Sequence, residues 1–389
     1  MRLIATCPEE TKHILANELE TLGATNIEQG YRAVEFDVNE KDFYRVHLRC
    51  RTASQIHLIV KKIPARTRVI LNSQAKRIKW EEVFSINKTY RIDAVAGDRG
   101  DDFMSSNEIS KTVRLSLENR FQHKAGSVPK VDLKDPEVVI VVYVYKGKAT
   151  VSVNTSGMTL HKRGYKNDKH PAPLKETLAS SVLDLCDYDG TTPLYDPMCG
   201  SGTTVIEAAM KALDKGANIH RKKGKFGFEH LPLFNSALFR QIQDEVRAKK
   251  KEDLHAPIFA SDISESFIHE AKDNALRARV EKHITFDVKS FFDTKAPATN
   301  GLLLCNPPYG ERISGEDADE AETFFKKMGD HLKKEFPGWT AAIFVASDAP
   351  WKSIGLKTKK KFNLRNGSIP TKLLLFDIRE GSFRKNEVL

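Results

Sequence analysis

From Pro171 onward the sequence alternates helical and extended patterns with a regularity that few folds accommodate. Helical periodicity over 177–185, 204–213, 264–279 and 321–336 is interleaved with apolar runs at 193–196, 257–262, 284–288, 302–306 and 340–346. Such alternation predicts a doubly wound, largely parallel sheet with helices on both faces. Near the end, Asn366-Gly367 stands between 361–364 and the apolar run 373–376, which predicts a hairpin added to the sheet edge.

The earlier part of the chain follows another rhythm. Strands at 3–6 and 33–38, helices at 9–22 and 40–48 and an apolar run at 56–60 make a small α+β unit, with Ile14, Leu15, Leu19 and Leu22 on one helical face. A second unit extends from about 64 to 157. Its expected parts are a helix at 80–84, a strand at 89–94, a long helix at 105–121, and strands at 138–145 and 149–153 joined through Lys146-Gly147-Lys148. In the long helix Ile109, Val113, Leu117 and Phe121 form an apolar stripe, while Lys111, Arg114 and Arg120 lie on a polar side able to meet phosphate. Since single cores rarely grow past roughly 250 residues, 389 residues imply several domains.

A composition of 40% hydrophobic and 29% charged residues excludes collagen-like, coiled-coil and disordered classes. Lys and Arg outnumber Asp and Glu by 62 to 52, and the resulting +10 favours a polyanionic partner if the charge is clustered. Cys7, Cys50, Cys186, Cys199 and Cys305 are odd in number and scattered without a C-x-x-C pair, against a disulfide framework, zinc ribbon or iron–sulfur cluster; no metal site is expected. The apolar run at 138–145 is too short to span a bilayer, so no membrane partner is expected and a reducing cytoplasmic setting is the default.

Two loops carry the chemistry. Asp196-Pro197-Met198-Cys199-Gly200-Ser201-Gly202-Thr203 joins a predicted strand to a predicted helix, and its glycines let backbone turn sharply and approach a ligand at the carboxyl end of a strand. A nicotinamide fingerprint would place a third glycine where Val205 stands, and Asp196 would repel a diphosphate. An acidic residue there suits a cofactor bearing a free amino group, such as S-adenosylmethionine. One strand over, Asp262 is positioned either to take both hydroxyls of a ribose or to cap the helix that begins near Ser264.

The second loop is Asn306-Pro307-Pro308-Tyr309. Two prolines lack N–H groups and end the strand, so the Asn306 side chain and the carbonyls of Asn306 and Pro307 form a receptor for an exocyclic amine, with Tyr309 offering a face for stacking. The bland alternative is a tight turn with a buried tyrosine.

These motifs in this order, the second extended by Gly310-Glu311-Arg312, resemble the class I S-adenosylmethionine-dependent methyltransferases that modify RNA guanine at N2. More narrowly, the chain resembles the THUMP-domain family typified by the bacterial large-subunit rRNA guanine-N2 methyltransferase, with related tRNA enzymes. Segments 160–165, 172–179, 225–229 and 364–367 share in the likeness. The resemblance implies an α/β fold: a Rossmann-like class I methyltransferase domain over 161–389, preceded by an N-terminal α+β region made of a ferredoxin-like domain over 1–62 and a THUMP RNA-binding domain over 63–160. It also implies rRNA, or else tRNA, as partner. By the same likeness, Asp196, Pro197, Met198, Gly200, Gly202 and Thr203 hold the methionine end of the cofactor, Asp262 its ribose and Ile263 its adenine. Asn306, Pro307, Pro308 and Tyr309 hold the acceptor. Where the family often places an Asp near the adenine amine, this chain has Ser290 followed by Phe291, with Asp287 a substitute in another register.

Rival readings are an N6-adenine methyltransferase, since the same motif receives either amine, and an RNA-binding assembly factor with a vestigial cofactor domain. The Lys-rich runs 221–225 and 357–361 are candidate phosphate contacts beside the catalytic mouth, or solvated faces.

Overall fold

The computed structural model describes residues 1–97, 104–166, 174–307 and 318–379. The chain packs as two compact units, one made of Met1–His161 with Asn218–Val246 and the other of Lys162–Ala217 with Arg247–Leu389.

The first unit contains β1 (Arg2–Thr6), α1 (Lys12–Thr21), β2 (Thr25–Gln29), β3 (Ala33–Asp37), α2 (Glu40–Arg49), β4 (Gln55–Pro64), α3 (Arg68–Lys76), α4 (Trp80–Val83), β5 (Tyr90–Ala96), α5 (Ser106–Ala125), β6 (Val138–Tyr145) and β7 (Lys148–Asn154). Its seven strands form one sheet in the order β2-β3-β1-β4-β7-β6-β5. β4 is the shared member: its first half pairs with β1 and most of its length with β7, with a register shift between Ile59 and Lys61. A bulge of this kind bends and twists a strand, which allows one element to serve two lobes. The strand runs from Gln55 to Pro64 and so continues through position 62. α5 starts in a capping box, Ser105 and Glu108 each accepting from the other's backbone, and stops at left-handed Gly126.

Residues 218–246 lie between two stretches of the second unit in sequence, yet their apolar side chains pack in the first. Phe226, Phe228, Phe239, Ile242 and Val246 share a core with Leu3, Phe36, Phe43 and Tyr44. Phe226 stacks on Phe228 with centroids 4.9 Å apart. Gly227 between them is required by space, since a Cβ there would sit 2.1 Å from the Asn154 carbonyl oxygen. Next to this cluster His47 is wholly buried, its Nδ1 2.7 Å from the Phe43 carbonyl and its Nε2 2.8 Å from the Thr155 hydroxyl, and burial pushes its pKa down to about 3.

α8 (Ser236–Ala248) belongs to the first unit as far as Val246, and the second unit contains α6 (Glu176–Leu185), β8 (Leu194–Asp196), α7 (Thr203–Ala212), β9 (Ile258–Asp262), α9 (Glu265–Arg277), β10 (Ile284–Val288), β11 (Gly301–Cys305), α10 (Ala318–Glu335), β12 (Trp339–Ala346), β13 (Lys360–Asn366) and β14 (Ile369–Asp377). The sheet order is β10-β9-β8-β11-β12-β14-β13, parallel from β10 to β12 and antiparallel at β14 and β13. This is the expected doubly wound sheet, closed by the expected hairpin, whose loop is Gly367-Ser368 with Gly367 at φ 65°. The chain leaves β8 for β9 on one side and later reaches β11 on the other, so the carboxyl ends of β8 and β11 flank the switch point at which open α/β sheets bind ligands. Among the described residues no helix is long and apolar enough to cross a membrane, and no group of three or more His, Cys, Asp or Glu could hold a metal ion.

Candidate active site

The loop after β8 is held by its own backbone. Cys199 N–H donates to the Ser261 carbonyl at 3.0 Å, Gly202 N–H to the Cys199 carbonyl at 2.8 Å, and Gly200 N–H to Asp262 Oδ2 at 3.0 Å. Gly200 and Gly202 both adopt left-handed φ, 51° and 82°. Their surroundings differ: a Cβ on Gly202 would come 3.0 Å from Ala271 Cβ, whereas one on Gly200 would meet nothing within 4 Å. The loop thus has a closed side against α9 and an open side at Gly200. Thr203 begins α7, and no side chain caps that helix end.

Asp196 is 2% exposed. Its Oδ1 accepts from Met198 N–H at 3.1 Å. Burial, with Asp262 nearby, pushes its pKa up to about 7. Pro197 is buried beside it and Met198 is half-buried. Asp262 is partly exposed, and its Oδ1 accepts from Ser264 N–H at 2.9 Å. Ser264, not Asp262, caps α9 by accepting from Phe267 N–H. Ile263 follows with an apolar side chain that is 75% exposed.

At the end of β10, Ser290 accepts from Phe292 N–H at 3.3 Å and so starts a short turn. The Phe291 ring is buried against His331, centroids 4.8 Å apart, and belongs to the core of this unit. Asp287 is exposed and pairs with Lys289.

After β11, Asn306 is half-buried and Pro307 buried. The Oδ1 of Asn306 is inaccessible to solvent and has no hydrogen-bond partner among the described residues. A buried amide oxygen left unpaired is costly and calls for an explanation. Pro308 and Tyr309 lie outside the described residues.

Several basic groups have local partners. Arg114 binds Glu118 and Arg120 binds Glu81 on the polar side of α5. In the 357–361 run, Lys359 pairs with Asp377 and Lys360 with Asp187, on the outer edge of the sheet, three strands from β11. Lys222, Lys223 and Lys225 are exposed within the segment that packs in the first unit. Asn274, an amide fully buried in α9, has no local signal in the sequence.

Comparison with known proteins agrees with this arrangement. Residues 163–374 match the model of the RMKL-like methyltransferase domain, residues 70–154 that of the THUMP domain and residues 2–57 that of the RlmL ferredoxin-like domain. The chain belongs to the RMKL-like methyltransferase family. It is 32% identical to the Synechocystis protein named "Putative RNA methyltransferase slr0064" over 96% of both chains. It is 33% identical to the Aliivibrio salmonicida "Ribosomal RNA large subunit methyltransferase K/L" over 99% of this chain. The chain spans about half of that relative, 54% of its length. Among solved structures, "SMU.472, a putative methyltransferase complexed with SAH" superposes with a TM-score of 0.87 over 98% of this chain and 99% of that one, at 26% identity.

Proposed function

We propose that this chain transfers a methyl group from S-adenosylmethionine to the exocyclic N2 amine of a guanine in RNA, namely large-subunit ribosomal RNA. The observation that carries the reading is the buried Oδ1 of Asn306, unpartnered among the described residues, at the end of β11, the strand beside the one that leads into the glycine loop. An exocyclic amine is a donor of the right kind for it.

The residues around the glycine loop suit the cofactor. Asp196 is a buried carboxylate that meets no cation among the described residues, and an ammonium group is what would hold it ionised. The open side of Gly200 leaves room for a ligand against the backbone. Asp262 keeps lone pairs beyond the two N–H groups it already accepts, enough for ribose hydroxyls, and exposed Ile263 offers an apolar surface to a flat base. When bound, S-adenosylmethionine supplies an electrophilic methyl group on a sulfonium.

Methyl transfer is an in-line displacement, so the protein's task is to align the acceptor and exclude water. Asn306, with the Pro307 carbonyl, would draw the amine hydrogens to one side, favour a pyramidal nitrogen and turn its lone pair away from the ring. The amine becomes acidic only after it is methylated, so a strong general base is not required. RNA as partner is supported by the THUMP module, the +10 charge and the names of the relatives above.

The test is incubation of the full chain with S-adenosylmethionine labelled in the methyl group and total RNA from cells lacking the gene, followed by nucleoside mass spectrometry of separated RNAs. The reading expects labelled N2-methylguanosine in large-subunit rRNA. The same nucleoside in tRNA would move the partner. Label on adenine N6 would overturn the acceptor, and label nowhere despite cofactor binding would favour an RNA-binding assembly role.

A further inference from the structure

The closed side of the glycine loop is built by α9. Ala271 meets Gly202, and three residues further along the same helical face stands Asn274, which is fully buried. Asn274 Nδ2 donates to the Ser201 carbonyl at 2.9 Å, and its Oδ1 accepts from the Arg277 guanidinium at 2.6 Å. Arginine only donates and a carbonyl only accepts, so a single orientation of the amide satisfies both neighbours. Arg277 Nε in turn donates to the backbone carbonyl of Tyr165 at 2.7 Å, in the segment by which the chain enters this unit. The Tyr165 hydroxyl donates to buried Glu207 on α7 at 3.0 Å. One continuous relay therefore joins Tyr165, Arg277, Asn274 and Ser201, and Tyr165 also grips the helix that follows the loop.

Ser201 lies between the two left-handed glycines, where little but its own hydrogen bonds fixes the direction of its carbonyl. Gly200 N–H is held by Asp262 from one side, and the Ser201 carbonyl is held by Asn274 from the other. We propose that Asn274 is a positioning residue for the cofactor loop, secured by Arg277, and that it sets affinity for S-adenosylmethionine through Ser201 rather than by contact. This rests on the cofactor reading given above.

The experiment is calorimetric titration of the full chain with S-adenosylhomocysteine, paired with steady-state methyl transfer. Asn274→Asp keeps the size and the acceptor for Arg277 but puts an oxygen where the donor to Ser201 stood. It is expected to weaken binding about 10-fold, on the scale of one lost buried hydrogen bond, and to raise KM for S-adenosylmethionine while kcat and KM for RNA stay within about twofold. Arg277→Met, at an exposed position, should fold without difficulty and weaken binding by roughly threefold, since it loosens the same amide. Tyr165→Phe removes the hydroxyl from Glu207 and lowers the melting temperature, yet keeps the Tyr165 carbonyl, so affinity should hold. Unchanged affinity in both Asn274→Asp and Arg277→Met overturns the proposal. So does an equal loss in Tyr165→Phe, which would mean that affinity merely follows stability. A wild-type protein that fails to bind S-adenosylhomocysteine overturns the cofactor reading itself, a distinct outcome.

Discussion

The two loops at the carboxyl edge of the second sheet are built on opposite terms. After β8, the glycine loop has its backbone tied on both sides before any ligand arrives, by Asp262 at Gly200, by Asn274 at Ser201 and by its own turn at Gly202. After β11, the Asn306 amide oxygen is buried and, among the described residues, unmatched. The first loop is fixed in place, and its buried Asp196 carboxylate accepts a hydrogen bond but meets no cation among the described residues. In the second, no described residue donates a hydrogen bond to the Asn306 oxygen. A binding loop that is fixed in advance loses little entropy on binding, whereas a receptor with an unmet acceptor rewards the one group that supplies the proton.

The sharpest way to break the contrast is to unmake the preorganised loop. Gly202→Val combines a left-handed residue with a side chain forced against Ala271, at about 1–2 kcal/mol for the first and about 1–3 kcal/mol for the second. Chemical denaturation should show a loss within the sum of those ranges, and cofactor binding should vanish. A variant that binds S-adenosylhomocysteine normally would mean that the close approach to α9 does not matter.

Next in size is the charge at Asp196. Its folded pKa stands at about 7, above the ordinary 3.8, so the ligand-free protein holds that proton more tightly than the unfolded chain. This group therefore costs stability as pH rises from about 4 to about 7 and nothing further above that. Cofactor binding should run the other way. Below pH 7 a proton must leave before a cation can pair, so S-adenosylhomocysteine affinity should fall by up to about tenfold per pH unit toward pH 5. Asp196→Asn should flatten that slope and weaken binding at pH 8; a slope that survives the substitution would assign it elsewhere. The smallest effect is expected at Ser290, whose hydroxyl already serves the Phe292 amide. Ser290→Ala should change affinity by less than about twofold, and a tenfold loss by titration would instead make it a direct contact to the adenine.

How much of this was legible in the sequence varies with how local the determining physics is. β6 and β10 fall where apolar patterning put them, and the hairpin follows Asn366-Gly367. β2 escaped because Thr25–Gln29 is a mostly exposed edge strand with no apolar alternation, and α3 because it buries little beyond Leu71 and Ala75. The allegiance of Phe226, Phe228 and Phe239 depends on partners such as Phe43 and Tyr44, far away in sequence, which no local pattern encodes. In the site, Asp196, the two glycines and Asn306 announce themselves through their neighbours along the chain. Asn274 does not, because the carbonyl it holds is 73 positions away. Phe291 is named beside the cofactor only through the family resemblance, and its ring packs in the core of the second unit.

The most direct test of the division of labour between the loops is Asn306→Ala, measured on one preparation for both S-adenosylhomocysteine affinity and single-turnover methyl transfer to the substrate RNA. The account predicts affinity within about twofold of wild type and transfer reduced at least about 100-fold, the scale of a lost orienting interaction at a reacting centre. Transfer that persists within a few-fold of wild type, or cofactor affinity that falls together with it, would contradict the assignment of Asn306 to the acceptor.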